Sequence, residues 1–223
     1  MAAVTPNNTA RRLFAPIAPS YQRWASVLSL GQDDRWRRAM VAGLDLAPGC
    51  RVLDAAAGTG SITRLLQQGG HTVVGADISR AMLGEHPGPN RVVARGERLP
   101  LRPGSFDAVT FGYLLRYVDD PTACLSGFAR VLKPGGRLGM VEFGLPTTWY
   151  MPWRAYADGV LPLAGRLIDQ GWYEVGKFLR TSIEDFHRRH PDLEAVFRQA
   201  GFADVESRRM SLGGGLVMWA RKP

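Results

Sequence analysis

The stretch VLDAAAGTG at residues 52–60 decides the fold. Two apolar residues lead to a carboxylate, Asp54, and then to a run of small residues. This is the composition of a strand ending in a tight turn at the carboxyl edge of a parallel sheet, where backbone can approach a ligand. Gly58 and Gly60 carry that turn. Taken alone, the pattern also suits an ordinary strand-to-helix connection, so its meaning rests on what surrounds it.

Downstream, the pattern predicts a helix near Ser61 to Gln68, a second strand HTVVGAD (71–77), a short helix SRAML (79–83) and a third strand RVVAR (91–95). DAVTFG (107–112) reads as a fourth strand. Asp120 before Pro121 places a capping acid ahead of proline at the first helical position, opening a helix to Leu132. KPGG closes it, and GRLGMVEF (136–143) is a fifth strand. Upstream, Asp33 or Asp34 can cap a helix with Trp36, Met40, Val41 and Leu44 on one face, and Pro48-Gly49 turns the chain into RVLDA (51–55), a strand expected to be central. Residues 145–180 break the alternation with Pro146, Pro152 and Pro162 among Trp149, Tyr150, Trp153, Tyr156, Trp172 and Tyr173, which reads as a lid. Thr181-x-x-Glu184 has the form of a capping box, and Pro191 is expected to restart a helix to about Ala200. FADVESRRM (202–210) and LVMWA (216–220) read as an antiparallel pair around Gly213 to Gly215. The expectation is one α/β domain over 1–223: an N-terminal helical cap (1–48), a cofactor core (49–144), an aromatic lid (145–180), and C-terminal helices with a strand pair (181–223).

The 223 residues, 45% hydrophobic, are enough to bury one substantial core. Uncharged apolar runs such as Ala55 to Ala57 and Val73 to Ala76 fall far short of the roughly 18 residues of a membrane-spanning helix. MAAVTPNNTARRLF at the start lacks the apolar centre of a secretory signal, so a cytoplasmic protein is expected. Cys50 and Cys124 show no CxxC or His/Cys cluster, which predicts two buried thiols and no metal. The charge of +8 includes the pairs Arg11-Arg12, Arg37-Arg38, Arg188-Arg189 and Arg208-Arg209. A solvated basic surface is the favoured reading over nucleic acid or an anionic membrane. His71, His86, His187 and His190 are expected at the surface.

Asp77 ends the second strand 17 residues beyond Gly60, close to the spacing at which an acid accepts ribose hydroxyls. Together with the glycine turn it indicates an adenosine-containing cofactor. The turn continues Gly58-Thr-Gly60-Ser-Ile-Thr63 and lacks the third glycine of GxGxxG, which disfavours a nicotinamide cofactor.

In order along the chain, VLDAAAGTG, ADISRAML, ERLPLRPGSFDAVTFGYLLRYVDD and RVLKPGGRLGMVEF resemble the class I S-adenosylmethionine (SAM)-dependent methyltransferases. Within them, APSYQRWASVLSLGQDDRWRR is similar to the N-terminal segment of the ubiquinone and menaquinone C-methyltransferases, and TSIEDF and QAGFADV fit the same family. The resemblance implies a Rossmann-like fold: a seven-stranded, mostly parallel sheet with one antiparallel strand and helices on both faces. It also implies SAM as methyl donor and S-adenosylhomocysteine as product. Asp54, Ala56, Gly58, Thr59 and Gly60 would then line the methionine part, Asp77 would bind the ribose, and Ile78 and Met82 would flank adenine. Gly96, Glu97 and Gly112 would complete the pocket.

Carbon methylation of a hydroquinone needs a base for a phenolic proton and a cation for the resulting oxyanion. Arg116 in YLLRYV matches the arginine of the family's FGLRN-like segment and is the candidate cation. Glu142, at the end of strand five, is a candidate proton acceptor or an arginine's partner. Tyr21 is a candidate to close over the site or a packing residue. The chain departs from the family pattern at Arg95-Gly96, at Tyr117 in place of asparagine, and at Gln22 and Ala25 in the Y-D-x-x-N segment. The expected acceptor is a small aromatic or quinone-like molecule, with a lipid quinone at the membrane surface as one candidate. Other small-molecule acceptors and a non-catalytic SAM-binding role stay open, as does a homodimer. GYLLRY in place of an Asn/Asp-Pro-Pro-aromatic loop argues against nucleic acid as substrate.

Overall fold

The computed structural model describes residues 6–223; the first five residues of the N-terminal segment lie outside it. Among the described residues seven strands form one sheet: β1 Arg51–Ala55, β2 Thr72–Asp77, β3 Arg91–Val93, β4 Phe106–Gly112, β5 Leu132–Phe143, β6 Ala203–Met210 and β7 Gly215–Arg221. Their order is β3-β2-β1-β4-β5-β7-β6. Strands β1 to β5 pair in parallel, and β7 runs antiparallel between β5 and β6. This is the class I methyltransferase arrangement expected above.

Alternation along each strand feeds two cores. Val52 of β1 packs into a cluster with Trp36, Met40 and Leu44 from and just beyond α3 (Gln32–Gly43), and with Ile62 and Leu66 of α4 (Ser61–Gln68). Its neighbour Leu53 joins Leu125 and Phe128 of α6 (Pro121–Val131) on the opposite face. β1 is therefore buried on both sides, and its carboxyl end is held where α4 begins.

The lid sequence folds into α7 (Tyr150–Ala155), a π-helical turn (Tyr156–Val160), α8 (Leu161–Ile168) and α9 (Gln170–Arg189). It clasps α1 (Pro6–Phe14) and α2 (Tyr21–Leu28) over one end of the sheet. The Trp172 indole N–H donates to Ser20 Oγ at 3.0 Å, Tyr21 stacks on Trp172 with ring centres 6.0 Å apart, and the Tyr156 hydroxyl donates to the Leu28 carbonyl.

Several local expectations are corrected. α3 starts on Gly31 in a left-handed conformation (φ 72°) without a side-chain cap, because Asp33 is turned inward instead. Thr181 and Glu184 lie inside α9, whose cap is Asp169, accepting from Trp172 N at 3.0 Å. α10 (Leu193–Gln199) is capped by Asp192 rather than opened at Pro191. KPGG loops out within β5, between the pairs Phe106–Leu132 and Ala108–Arg137, rather than preceding it. Cys124 is buried and Cys50 only partly so. His86 is buried, not at the surface, and Arg37 of the supposed surface pair is buried as well.

Candidate active site

A cleft opens beside the glycine turn, and Ala56, Gly58, Thr59, Asp77, Ile78, Met82, Gly96 and Gly112 all line it. The turn is built by backbone conformation: Gly58 and Gly60 take φ values of 54° and 80°, a region that disfavours side chains bearing Cβ. Asp77 holds it in place, one carboxylate oxygen accepting from Gly58 N at 2.8 Å and the other from Ser79 N at 2.7 Å. Burial pushes the Asp77 pKa up, and these N–H donors oppose it. Ser79 also caps α5 (Arg80–Gly84), which carries Met82 to the cleft.

Asp54 lies elsewhere. Its side chain is wholly buried, accepting from Thr63 Oγ1 at 2.6 Å and Thr110 Oγ1 at 3.1 Å, and it joins β1 to α4 and β4 rather than lining the cleft. Burial pushes its pKa up to about 6 against those two hydroxyl bonds. Thr63 Oγ1 also meets His86 Nε2 at 3.0 Å, and His86 Nδ1 accepts from Gly88 N at 3.0 Å. Gly60 sits tightly against this layer, since a Cβ there would lie 2.4 Å from Pro87 Cδ. Glu97 is just outside the cleft lining, its Oε1 accepting from Asn7 Nδ2 at 2.7 Å.

The cleft wall offers unsatisfied polar atoms. Thr59 Oγ1 and Ser61 Oγ in its lining, and Glu97 Oε2 beside it, are buried without a hydrogen-bond partner. Buried polar groups of this kind require partners. Free hydroxyls, the Asp77 carboxylate and a floor of small residues fit SAM, whose ribose, amino and carboxylate groups need such a set.

A second, larger chamber adjoins the first, and Phe14, Tyr21 and Tyr113 line both. Its walls are apolar and aromatic, with Trp36, Trp149, Trp153, Tyr156, Trp172 and Leu179 among them. Tyr21 is thus at the junction, with burial pushing its pKa up to about 12. Arg116 reaches this chamber, but its Nε donates to Glu142 Oε1 at 2.9 Å and its Nη1 to Ser182 Oγ at 2.7 Å. Glu142 lines neither cavity, and its Oε2 has no partner. The two candidates from the sequence are brought together with each other.

Sequence reasoning missed the polar group at the junction. Asp33 Oδ2 pairs with Arg37 Nη2 at 2.8 Å, and Asp33 Oδ1 accepts from the Tyr113 hydroxyl. Arg37 Cζ lies 5.6 Å from the centre of the Tyr113 ring. A signal was present: Asp33 and Arg37 are four apart and share the helical face of Trp36 and Met40, which should be apolar. Charged residues on such a face are buried and need each other.

The chain from residue 3 to 222 matches the model of the ubiE/COQ5 methyltransferase family. It is 37% identical to a ubiquinone/menaquinone biosynthesis C-methyltransferase of Desulfotalea psychrophila, covering 95% of this chain and 89% of that one. It is 38% identical to a demethylmenaquinone methyltransferase of Tropheryma whipplei, covering 91% and 87%. Among solved structures, a SAM-dependent methyltransferase of Thermotoga maritima, described as a possible histamine N-methyltransferase, superposes with a TM-score of 0.68 at 20% identity, covering 96% and 99%. That likeness bears on the fold; the sequence matches over nearly the whole chain decide the family. This chain belongs to the ubiE/COQ5 methyltransferase family and is a class I SAM-dependent methyltransferase.

Proposed function

We propose that the chain methylates a ring carbon of a reduced, demethylated quinone of the demethylmenaquinone type. The observation that carries this reading is the large aromatic chamber opening onto the cofactor cleft through Phe14, Tyr21 and Tyr113. Flat indole and phenol faces suit a bicyclic ring, and the remaining apolar volume suits a prenyl tail. The Tropheryma whipplei relative, named a demethylmenaquinone methyltransferase, supports the same acceptor.

SAM, when bound, supplies an electrophilic methyl group on its sulfonium. The protein's work is then alignment and exclusion of water. The Gly58–Gly60 turn, Ala56 and Thr59 receive the methionine part, and Asp54 supports that turn from beneath. Asp77 takes the ribose hydroxyls, and Ile78 and Met82 flank the adenine beside Gly96, Glu97 and Gly112. Tyr21 and Phe14 set the plane of the acceptor ring. Arg116, held by Glu142 and Ser182, lends positive charge to the chamber wall where the ring oxygen gathers electron density.

The test is incubation with SAM and chemically reduced demethylmenaquinone, a reduced demethylated ubiquinone precursor, and simple phenols, with mass spectrometry locating the added methyl. Carbon methylation of the naphthoquinol is expected. An oxygen-methylated product, or no transfer to either quinol, would sink the reading.

The acceptor's tail also points to a lipid surface. Among the described residues no helix is long and apolar enough to cross a membrane. Leu30 on the chamber wall is 78% exposed, and Leu163 and Leu167 of the lid are 65% and 87% exposed. Leu163→Ser with Leu167→Ser is expected to weaken flotation with anionic lipid vesicles; unchanged flotation would remove the lid from membrane contact.

A further inference from the structure

We propose that Asp33, aligned by Arg37 and the Tyr113 hydroxyl, is the base that receives the ring-hydroxyl proton of the acceptor during methyl transfer. The assignment rests on the reading of the acceptor as a hydroxylated aromatic ring, and it follows from where acid–base groups sit. Among the described residues lining the aromatic chamber, Asp33 is the one carboxylate, and that lining contains no His, Lys or Cys. The other buried acids are otherwise engaged: Asp54 beneath the turn, Asp77 on the cofactor side, Glu142 away from both cavities.

Asp33 is also built for the task. It is 4% exposed, and Arg37, which grips its Oδ2, lines the cofactor cleft rather than the chamber. The cation thus stands on the side where the methyl donor enters. Tyr113 lines both cavities, and its backbone is held in the left-handed region (φ 56°), with its N–H donating to the Val141 carbonyl at 2.9 Å. Such strain in a non-glycine residue is kept where the surroundings enforce it, commonly at working sites. Burial pushes the Asp33 pKa up against the pull of Arg37 and Tyr113.

The acceptor's O–H bond breaks and its proton passes to the Asp33 carboxylate, directly or through the Tyr113 hydroxyl. The freed electron pair is delocalised into the ring, and the ring carbon uses a pair to bond the methyl carbon. The S–CH3 bond breaks with its electrons remaining on sulfur, which becomes neutral. The resulting ketone loses its ring C–H proton to solvent while the oxygen recovers the proton from Asp33. One proton is released for each methyl transferred, and Asp33 is regenerated as a carboxylate.

Asp33→Asn keeps the shape and removes the base. With reduced demethylmenaquinone it is expected to lower kcat by about 10²- to 10⁴-fold, with SAM affinity by calorimetry near that of the wild type. Tyr113→Phe keeps the Asp33–Arg37 pair, removes one hydrogen bond to the carboxylate and is expected to lower kcat by about tenfold, which guards against a folding defect in the first variant. The acid limb of the wild-type pH profile should be missing from Asp33→Asn; Arg37 and Asp34 of α3, Tyr113 after β4 and Tyr21 of α2 are the charged and titratable groups that face this carboxylate. A readout apart from turnover is the absorbance of 1-naphthol bound with S-adenosylhomocysteine, where the wild type should show more naphtholate than Asp33→Asn. A nitro-substituted naphthol, already ionised at the assay pH, should bind both proteins as naphtholate and be methylated with a much smaller difference between them. Equal naphtholate signals from 1-naphthol, or normal turnover of reduced demethylmenaquinone by Asp33→Asn, would overturn this assignment alone. A wild-type protein that neither binds naphthol nor methylates any quinol would overturn the acceptor class and this assignment together.

Discussion

The Arg116 and Glu142 side chains meet at 2.9 Å while 2% and 1% exposed, and one Glu142 oxygen has no partner at all. Removing one ion of such a pair leaves the other buried and uncompensated, which costs more than the pair itself contributes. Arg116→Ala is therefore expected to destabilise the protein by about 3–5 kcal/mol in urea denaturation, and the double change Arg116→Met with Glu142→Leu to recover most of it. A double variant as unstable as the single one would show that the ion pair is not the source. From sequence Arg116 was placed after the fourth strand and Glu142 at the end of the fifth, with an arginine as one candidate partner for Glu142, but nothing in the spacing said which arginine. Asp33 was read as a cap and Arg37 as surface charge because spacing to near neighbours was all that the sequence displayed. Asp33 instead reaches Tyr113, 80 positions away.

Helix starts show the same division at the next scale. The carboxylate before proline at Asp120 caps α6 as expected, accepting from Ala123 N at 3.0 Å, because the signal and its target lie within one turn. Thr181 and Glu184 had an equally valid local pattern, but Asp169 had already begun α9 and no strong breaker follows before Pro191. Asp169→Ala should cost about 1 kcal/mol in chemical denaturation, whereas Thr181→Ala, on the exposed middle of the helix, should stay within about 0.5 kcal/mol of the wild type. The reverse order would restore a helix boundary at 181. At α4 the element begins on Gly60, where φ is 80° and Pro87 leaves no room for a methyl group. Gly60→Ala should destabilise the fold by about 1–2 kcal/mol and weaken SAM binding measured by calorimetry; unchanged affinity would mean that the turn tolerates a second geometry.

Across the whole molecule, the buried carboxylates tie stability to pH. Asp54 has a pKa near 6 in the fold against an ordinary value of 3.8, because burial disfavours its charge more than Thr63 and Thr110 support it. Between about pH 4 and 6 the folded chain keeps a proton that the unfolded chain has released, so stability falls as pH rises through that window. The difference is on the order of 3 kcal/mol between its two ends. In urea titrations from pH 4 to 7, Asp54→Asn should gain on the wild type by about that amount; a pH-independent difference would mean that Asp54 ionises freely. The succession of strands, the glycine turn and an acid closing the second strand were legible in the chain itself, since strand period, turn glycines and an acid at a strand end act through neighbours in sequence, and the seven-stranded sheet with one antiparallel strand followed from the family resemblance. The tertiary structure alone decided that Asp54 turns away from the cleft to Thr63 and Thr110, that Arg116 takes Glu142, and that Asp33, Arg37 and Tyr113 meet where two cavities join. The reason is desolvation: a charge removed from water must find a counter-charge or a donor wherever the fold brings one, and no spacing along the chain records that meeting.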